Sequence, residues 1–216
     1  IQHEDYMLHV MHRAGLPCTE PMGIVEITPD HEYLLVTDFL AGAAEISEVE
    51  VTTEMIDAGL EAVAQMWDVG LAHRDIKPSN VMVKDGRLRL IDVAFAQIRP
   101  SPWRQAVDLA NMMLVLGLGS SAELVYERAL LRFSEDEIAE AFAASRGVTL
   151  PSQLRASVRR DGRALLEQFR RLAPDREPVA IQRWSLRRVG LTLWVALVAF
   201  ALIAIFVSSL ADIGLL

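Results

Sequence analysis

The sequence predicts an α+β body followed by one C-terminal transmembrane helix. Three observations carry this: short β-like segments early in the chain, helical patterning after residue 105, and a long uncharged apolar run near the end. The chain has 216 residues, is 52% hydrophobic and carries a formal net charge of -8, with a mean hydropathy of +0.26. That composition excludes a disordered chain. The negative charge argues against non-specific nucleic-acid binding, which needs Lys and Arg to displace phosphate counterions. A single cysteine, Cys18, excludes an internal disulfide framework and a cysteine-built zinc site.

Charge divides the chain into three regions. Residues 1–100 carry 17 acids and 7 bases, residues 101–181 carry 11 of each, and residues 182–216 carry 3 bases and 1 acid. In the third region, Val189 to Leu210 are 22 residues without a charge. At about 1.5 Å per residue a helix of that length reaches about 33 Å, enough for a hydrocarbon core of about 30 Å. Arg183, Arg187 and Arg188 precede the run and only Asp212 follows, so the positive-inside rule puts the body in the cytoplasm of a single-pass cell-membrane protein. Trp184 and Trp194 suit the interfacial belt.

The body is read element by element. Residues 2–13 predict a helix with Tyr6, Met7, Val10 and Met11 on one face, stopped by Gly15 and Pro17. Met22 to Ile27 and Tyr33 to Asp38 predict strands around a Thr28–His31 turn. A Gly/Ala-rich loop spans residues 40–44. Thr53 is placed as the cap of a helix running to about Asp68. Asn80 to Val83 and Leu88 to Ile91 read as strands joined by Lys84-Asp85-Gly86. Ser134 with Glu137 forms a capping box for a helix ending at Gly147, and one further helix runs from about Pro151 to just before Pro174.

The chemistry sits between these elements. Residues 73–80 read HRDIKPSN and residues 90–93 read LIDV. This resembles the catalytic loop and metal-binding loop of the protein-kinase-like superfamily. The resemblance covers about residues 1–175 and is concentrated in these two stretches. It implies a protein-kinase-like fold, with a partial N-lobe and hinge at 1–40 and a mostly helical C-lobe at 41–178. A basic linker at 179–188, the transmembrane helix at 189–210 and a short tail at 211–216 complete the expected organisation.

Phosphoryl transfer asks a protein for positioning and charge neutralisation. Asn80 and Asp92 can supply an amide oxygen and a carboxylate to magnesium, which takes oxygen ligands. Asp75 would accept the proton of an attacking hydroxyl, and Lys77 would meet the transferred phosphate as a point charge. By resemblance, His73 supports the loop structurally and Asp108 is the helix aspartate that braces it. Glu4 matches the helix glutamate that pairs with a phosphate-holding lysine. Adenine would bond backbone groups around Asp38 and Leu40. The implied cofactors are ATP and Mg2+.

Three departures from the pattern matter. No Gly-rich loop or strand lysine precedes Glu4, and the resemblance places both upstream of Ile1. The metal loop is Asp92-Val93-Ala94 where Asp-Phe-Gly is usual. Only about a dozen residues separate Asp92 from the next helix, which leaves no room for a long activation segment and leaves Arg74 without a phosphorylated loop to pair with. This compact layout is similar to the RIO-type and lipopolysaccharide (Kdo) kinase-like branches, in a bacterial membrane-anchored form. The expected activity is transfer of the γ-phosphate of ATP to a hydroxyl acceptor, with protein, lipid and glycan acceptors open; Lys77 leans towards serine/threonine-type chemistry. The alternatives are a nucleotide-binding pseudokinase scaffold and a membrane protein whose loop matches by chance.

Overall fold

A computed structural model describes residues 1–27, 32–145 and 149–176, and further positions at 191, 194–195, 197–201 and 203. The chain divides into two compact units, Ile1–Val179 and Ala180–Leu216. In the second unit the described residues are helical.

The expected transmembrane helix requires correction. Crossing a hydrocarbon core takes about 20 consecutive apolar helical residues. Among the described residues no helix is long and apolar enough to do so. The longest described helix has 17 residues and carries Arg104 and Asp108. Among the described residues, therefore, no transmembrane helix closes the fold, and the single-pass membrane placement that rested on one is withdrawn. Much of the 189–210 run, the juxtamembrane linker and the tail lie outside the described residues.

The first unit is α+β. Helix α1 (Gln2–Arg13) buries Met7, Leu8 and Met11, whereas Tyr6, expected on that face, is exposed. Gly15 ends it in the left-handed region (φ 76°), which lets the Leu16 N–H reach back to the Met11 carbonyl at 3.1 Å. The chain then runs beside a later strand: the Leu90 N–H donates to the Pro17 carbonyl at 2.6 Å and Cys18 bridges to Leu90. Strands β1 (Pro21–Glu26) and β2 (Tyr33–Thr37) pair antiparallel with Val25 opposite Leu34. The turn expected at 28–31 lies outside the described residues.

Strand β3 (Ala44–Glu45) precedes helix α2 (Thr53–Asp68). The cap is Thr52 rather than Thr53: Thr52 is extended and its Oγ1 accepts from the Met55 N–H at 3.4 Å, while Thr53 is already helical. Strand β4 (Leu71–Ala72) pairs with β7 (Gln97–Ile98). Strands β5 (Val81–Lys84) and β6 (Arg87–Leu90) form a hairpin, with β3 on the far side of β5. The hairpin turn is Asp85-Gly86, both in the left-handed region (φ 51° and 72°), as a two-residue type I′ connection requires.

Helix α3 (Pro102–Leu118) is the core element, buried almost throughout from Ala106 to Gly117 and packed against α2. Helices α4 (Ala122–Ala129), α5 (Glu135–Ala144), α6 (Ser152–Asp161) and α7 (Leu165–Leu172) surround it. The capping box of Ser134 and Glu137 opens α5, which ends at Ala144; Gly147 lies outside the described residues. Where one helix was expected after Pro151 there are two. Gly162 (φ 70°) and Ala164 (φ 51°) turn the chain so that the intervening Arg163 donates to the carbonyls of Ser120, Leu118 and Gly117 at 2.7, 2.9 and 3.1 Å. Those carbonyls lie at or just past the α3 C-terminus, beyond the regular helix ladder, and the Gly117 carbonyl also accepts from the Ser120 N–H at 3.4 Å.

Candidate active site

The β5–β6 hairpin sets the site's register. Its tight turn places Val81 opposite Leu90, and beyond that pair the Ile91 N–H donates to the Asn80 carbonyl at 3.1 Å. Asn80 therefore leads into one strand and Asp92 follows the other, twelve residues apart in sequence and side by side in space.

The loop that leads to Asn80 is held from behind by α3. The carboxylate of Asp108, fully buried, accepts from the backbone N–H of His73 at 2.6 Å and from that of Arg74 at 2.9 Å. Burial pushes the Asp108 carboxyl up to about 7, against the pull of these two donated bonds. Arg74 adopts φ 69°, an unfavourable conformation for a side chain other than Gly, Asn or Asp. The two bonds from Asp108 bracket that strained residue and help fix it. His73 is fully buried, which holds its pKa below the usual histidine range. Its Nε2 lies 3.2 Å from the Ile91 carbonyl, so the neutral ring donates from Nε2.

Asn80, Asp75, Lys77 and Asp92 are linked in that order by successive side-chain contacts. The Lys77 ammonium pairs with the Asp75 carboxylate and sits 3.9 Å from Asp92 Oδ2. Asn80 is buried, and its Nδ2 donates to the Asp75 carbonyl at 2.9 Å and to Asp75 Oδ2 at 3.1 Å. With Nδ2 committed to Asp75, Oδ1 accepts from the Ser79 hydroxyl at 3.3 Å. Asp92 has a left-handed backbone (φ 57°) and a side chain that is 43% exposed.

Asp92 joins this cluster to a cavity of about 390 Å³, whose wall also includes Glu4, Asp38 and Leu40. Asp38 Oδ1 accepts from the Glu20 N–H at 2.6 Å, so its carboxylate braces the strand end. Glu4 makes no ion pair among the described residues, and the chain's two lysines, Lys77 and Lys84, lie elsewhere. Among the described residues no group of three or more His, Cys, Asp or Glu side chains converges as a metal cluster. The nine residues singled out from the sequence thus fall into three connected groups: the four-residue polar cluster, the cavity wall of Glu4, Asp38, Leu40 and Asp92, and the support of His73 and Asp108.

Other residues of the site escaped sequence reasoning. Gln153, on α6, accepts from the Ser79 hydroxyl at 2.8 Å across 74 residues of chain. His3 Nε2 lies 2.9 Å from the Ala96 carbonyl and ties α1 to the loop after Asp92. Thr19, Thr37, Met82 and Ile91 complete much of the cavity wall. Of these only Met82 left a signal, as the alternate position of a strand whose Val81 and Val83 face inward. In comparisons with known proteins, no family model matches the chain and no curated protein matches it.

Proposed function

We propose that residues 1–179 form the working part of an ATP- and magnesium-dependent phosphotransferase of the protein-kinase-like type. The observation that carries this reading is the junction between cluster and cavity: Lys77 pairs with Asp75 and sits 3.9 Å from Asp92, Asn80 donates to Asp75, and Asp92 lines a cavity about 390 Å³ in volume. In this reading adenine lies against the Asp38–Leu40 segment and the phosphates extend towards Asp92.

Magnesium suits the donor set. Asn80 Oδ1 and the Asp92 carboxylate are hard oxygen donors, and magnesium usually takes only one or two protein ligands beside water and phosphate oxygens. When bound, the ion would neutralise charge on the phosphates. The chain's own residues do the rest. The Asp75 carboxylate takes the proton of the acceptor hydroxyl as that oxygen bonds to the γ-phosphorus. The bond from that phosphorus to the bridging oxygen breaks, and its electron pair leaves on ADP. Lys77, already between Asp75 and Asp92, offers a positive charge to the moving phosphoryl group. Asn80 holds Asp75 in place through two donated bonds.

Asp75→Asn is expected to lower turnover about 10²- to 10⁴-fold while leaving binding of an ATP analogue intact, measured by phosphate release and calorimetry. Wild-type rates in that variant would remove Asp75 from the role of base. Asp92→Ala is expected to abolish magnesium-dependent ATP binding. A second reading, a nucleotide-binding pseudokinase, is favoured by Glu4 standing in the cavity wall without a lysine partner among the described residues. It predicts ATP binding with no turnover in the wild-type protein.

A further inference from the structure

Beside the catalytic loop lies a second, smaller cavity of about 190 Å³, lined by Arg74, Trp103, Arg104, Val107 and Thr149. It shares no lining residue with the larger cavity, and Arg74 directly precedes Asp75. Several arginines of the body pair with carboxylates, among them Arg128 with Asp57, Arg132 with Glu61 and Arg170 with Glu167. The two arginines of this cavity do not. Arg74 donates to the Phe95 carbonyl at 3.3 Å and Arg104 to Gln97 Oε1 at 3.0 Å, both neutral acceptors. Among the described residues neither forms an ion pair.

Helix α3 adds to the positive potential. Trp103 and Arg104 belong to its first turn, which contains no acidic residue, and Ser101 provides no side-chain cap. Desolvation and the nearby Arg104 charge hold Arg74 below the usual guanidinium range, with the Asp108 carboxylate offsetting part of this, so the two cations oppose each other in the free protein. An oxyanion would relieve that repulsion. Guanidinium groups bind phosphate and carboxylate with matched planar geometry.

We propose that this cavity receives a phosphate or carboxylate group of the acceptor, so that the substrate is an anionic hydroxyl compound rather than a neutral one. The proposal rests on the phosphotransferase reading only for calling the bound molecule an acceptor; the oxyanion site stands on its own geometry. The volume suits an oxyanion with a small part of the molecule that carries it, and the nucleotide has its own larger cavity. The position next to Asp75 would bring the acceptor's hydroxyl to the base while its charge is held by Arg74 and Arg104.

The test is titration of the whole chain with inorganic phosphate, and separately with malonate, in the presence of a saturating non-hydrolysable ATP analogue and magnesium. One of the two oxyanions is expected to bind the wild-type protein, and its identity names the acceptor's charged group. Arg104→Gln is expected to weaken that binding at least tenfold, and Arg104→Lys, which keeps charge and loses the planar fork, to fall between. Arg74→Gln gives a second reading should Arg104→Gln not fold. Absence of binding for both oxyanions overturns the proposal. So does undiminished binding in the folded variants, or oxyanion binding that the analogue abolishes. Binding of the analogue itself is recorded in parallel, so a failure of the nucleotide reading is seen separately from a failure of the oxyanion site.

Discussion

The two hairpins that contribute to the large cavity are both rich in apolar residues, and they meet opposite environments. In β5–β6, burial alternates along each strand, and Leu88 is 5% exposed against α2. The approach is close because Gly59 of α2 lacks a side chain; a Cβ there would stand 3.2 Å from Leu88 Cδ1, Leu116 Cδ1 and Met112 Sδ. In β1–β2, Met22 is 70% exposed and Leu34 53%, with Val25 and Ile27 also open. Alternation and composition therefore did not decide burial; what each hairpin packs against did. The cluster of Asp75, Lys77, Asn80 and Asp92 is attached to the fixed hairpin, whereas the Asp38–Leu40 segment follows the exposed one.

The sharpest way to break this contrast is a matched pair of truncations. Leu88→Ala is expected to cost about 2–5 kcal/mol, since it empties a packed site, a large share of a typical domain's stability. Leu34→Ala on the exposed hairpin is expected to stay within about 0.5 kcal/mol. Chemical denaturation of both variants checks the pair, and equal losses would erase the distinction.

Between those extremes lie two effects on the fixed side. Asp108 titrates near 7 when folded and near 4 when unfolded, so the folded state holds the extra proton across that interval. Stability from this group therefore falls as pH rises from about 4 to about 7. Asp108→Asn removes the titration, so the wild type's advantage over that variant should shrink as pH rises from 5 to 8 in denaturant titrations. A constant difference would mean that Asp108 is not the titrating group. Gly86→Ala forces a side chain into the left-handed turn and should cost about 1–2 kcal/mol, read as a shift in melting temperature.

Local chemistry made much of the fold legible. The Asp-Gly turn, the Ser134–Glu137 box and the Gly15 stop each rest on residues within a few positions of one another, and all three are present. The HRDIKPSN loop was legible only in part: Lys77 and Asn80 bond to Asp75 within it, whereas His73, Arg74 and Ser79 bond outside it to Ile91, Phe95 and Gln153. Long-range contacts were not legible. Nothing near Gly162 signals that Arg163 must reach the end of α3, and nothing in α6 marks Gln153 as the partner of Ser79. The 189–210 run shows the limit from the other side: an apolar, uncharged stretch states what a segment tolerates, and no helix among the described residues has the length to cross a membrane.

The Pro17–Cys18 contact with Leu90 carries a practical consequence. Cys18 is the chain's sole thiol, it is buried, and burial pushes its pKa up to about 11. At neutral pH almost none of it is thiolate, the form that alkylating reagents attack. Labelling must then wait for the segment to peel away from β6, two residues before Asp92. The rate of that labelling is a built-in clock for how often this side of the cavity opens, and under the proposed function ATP should slow it.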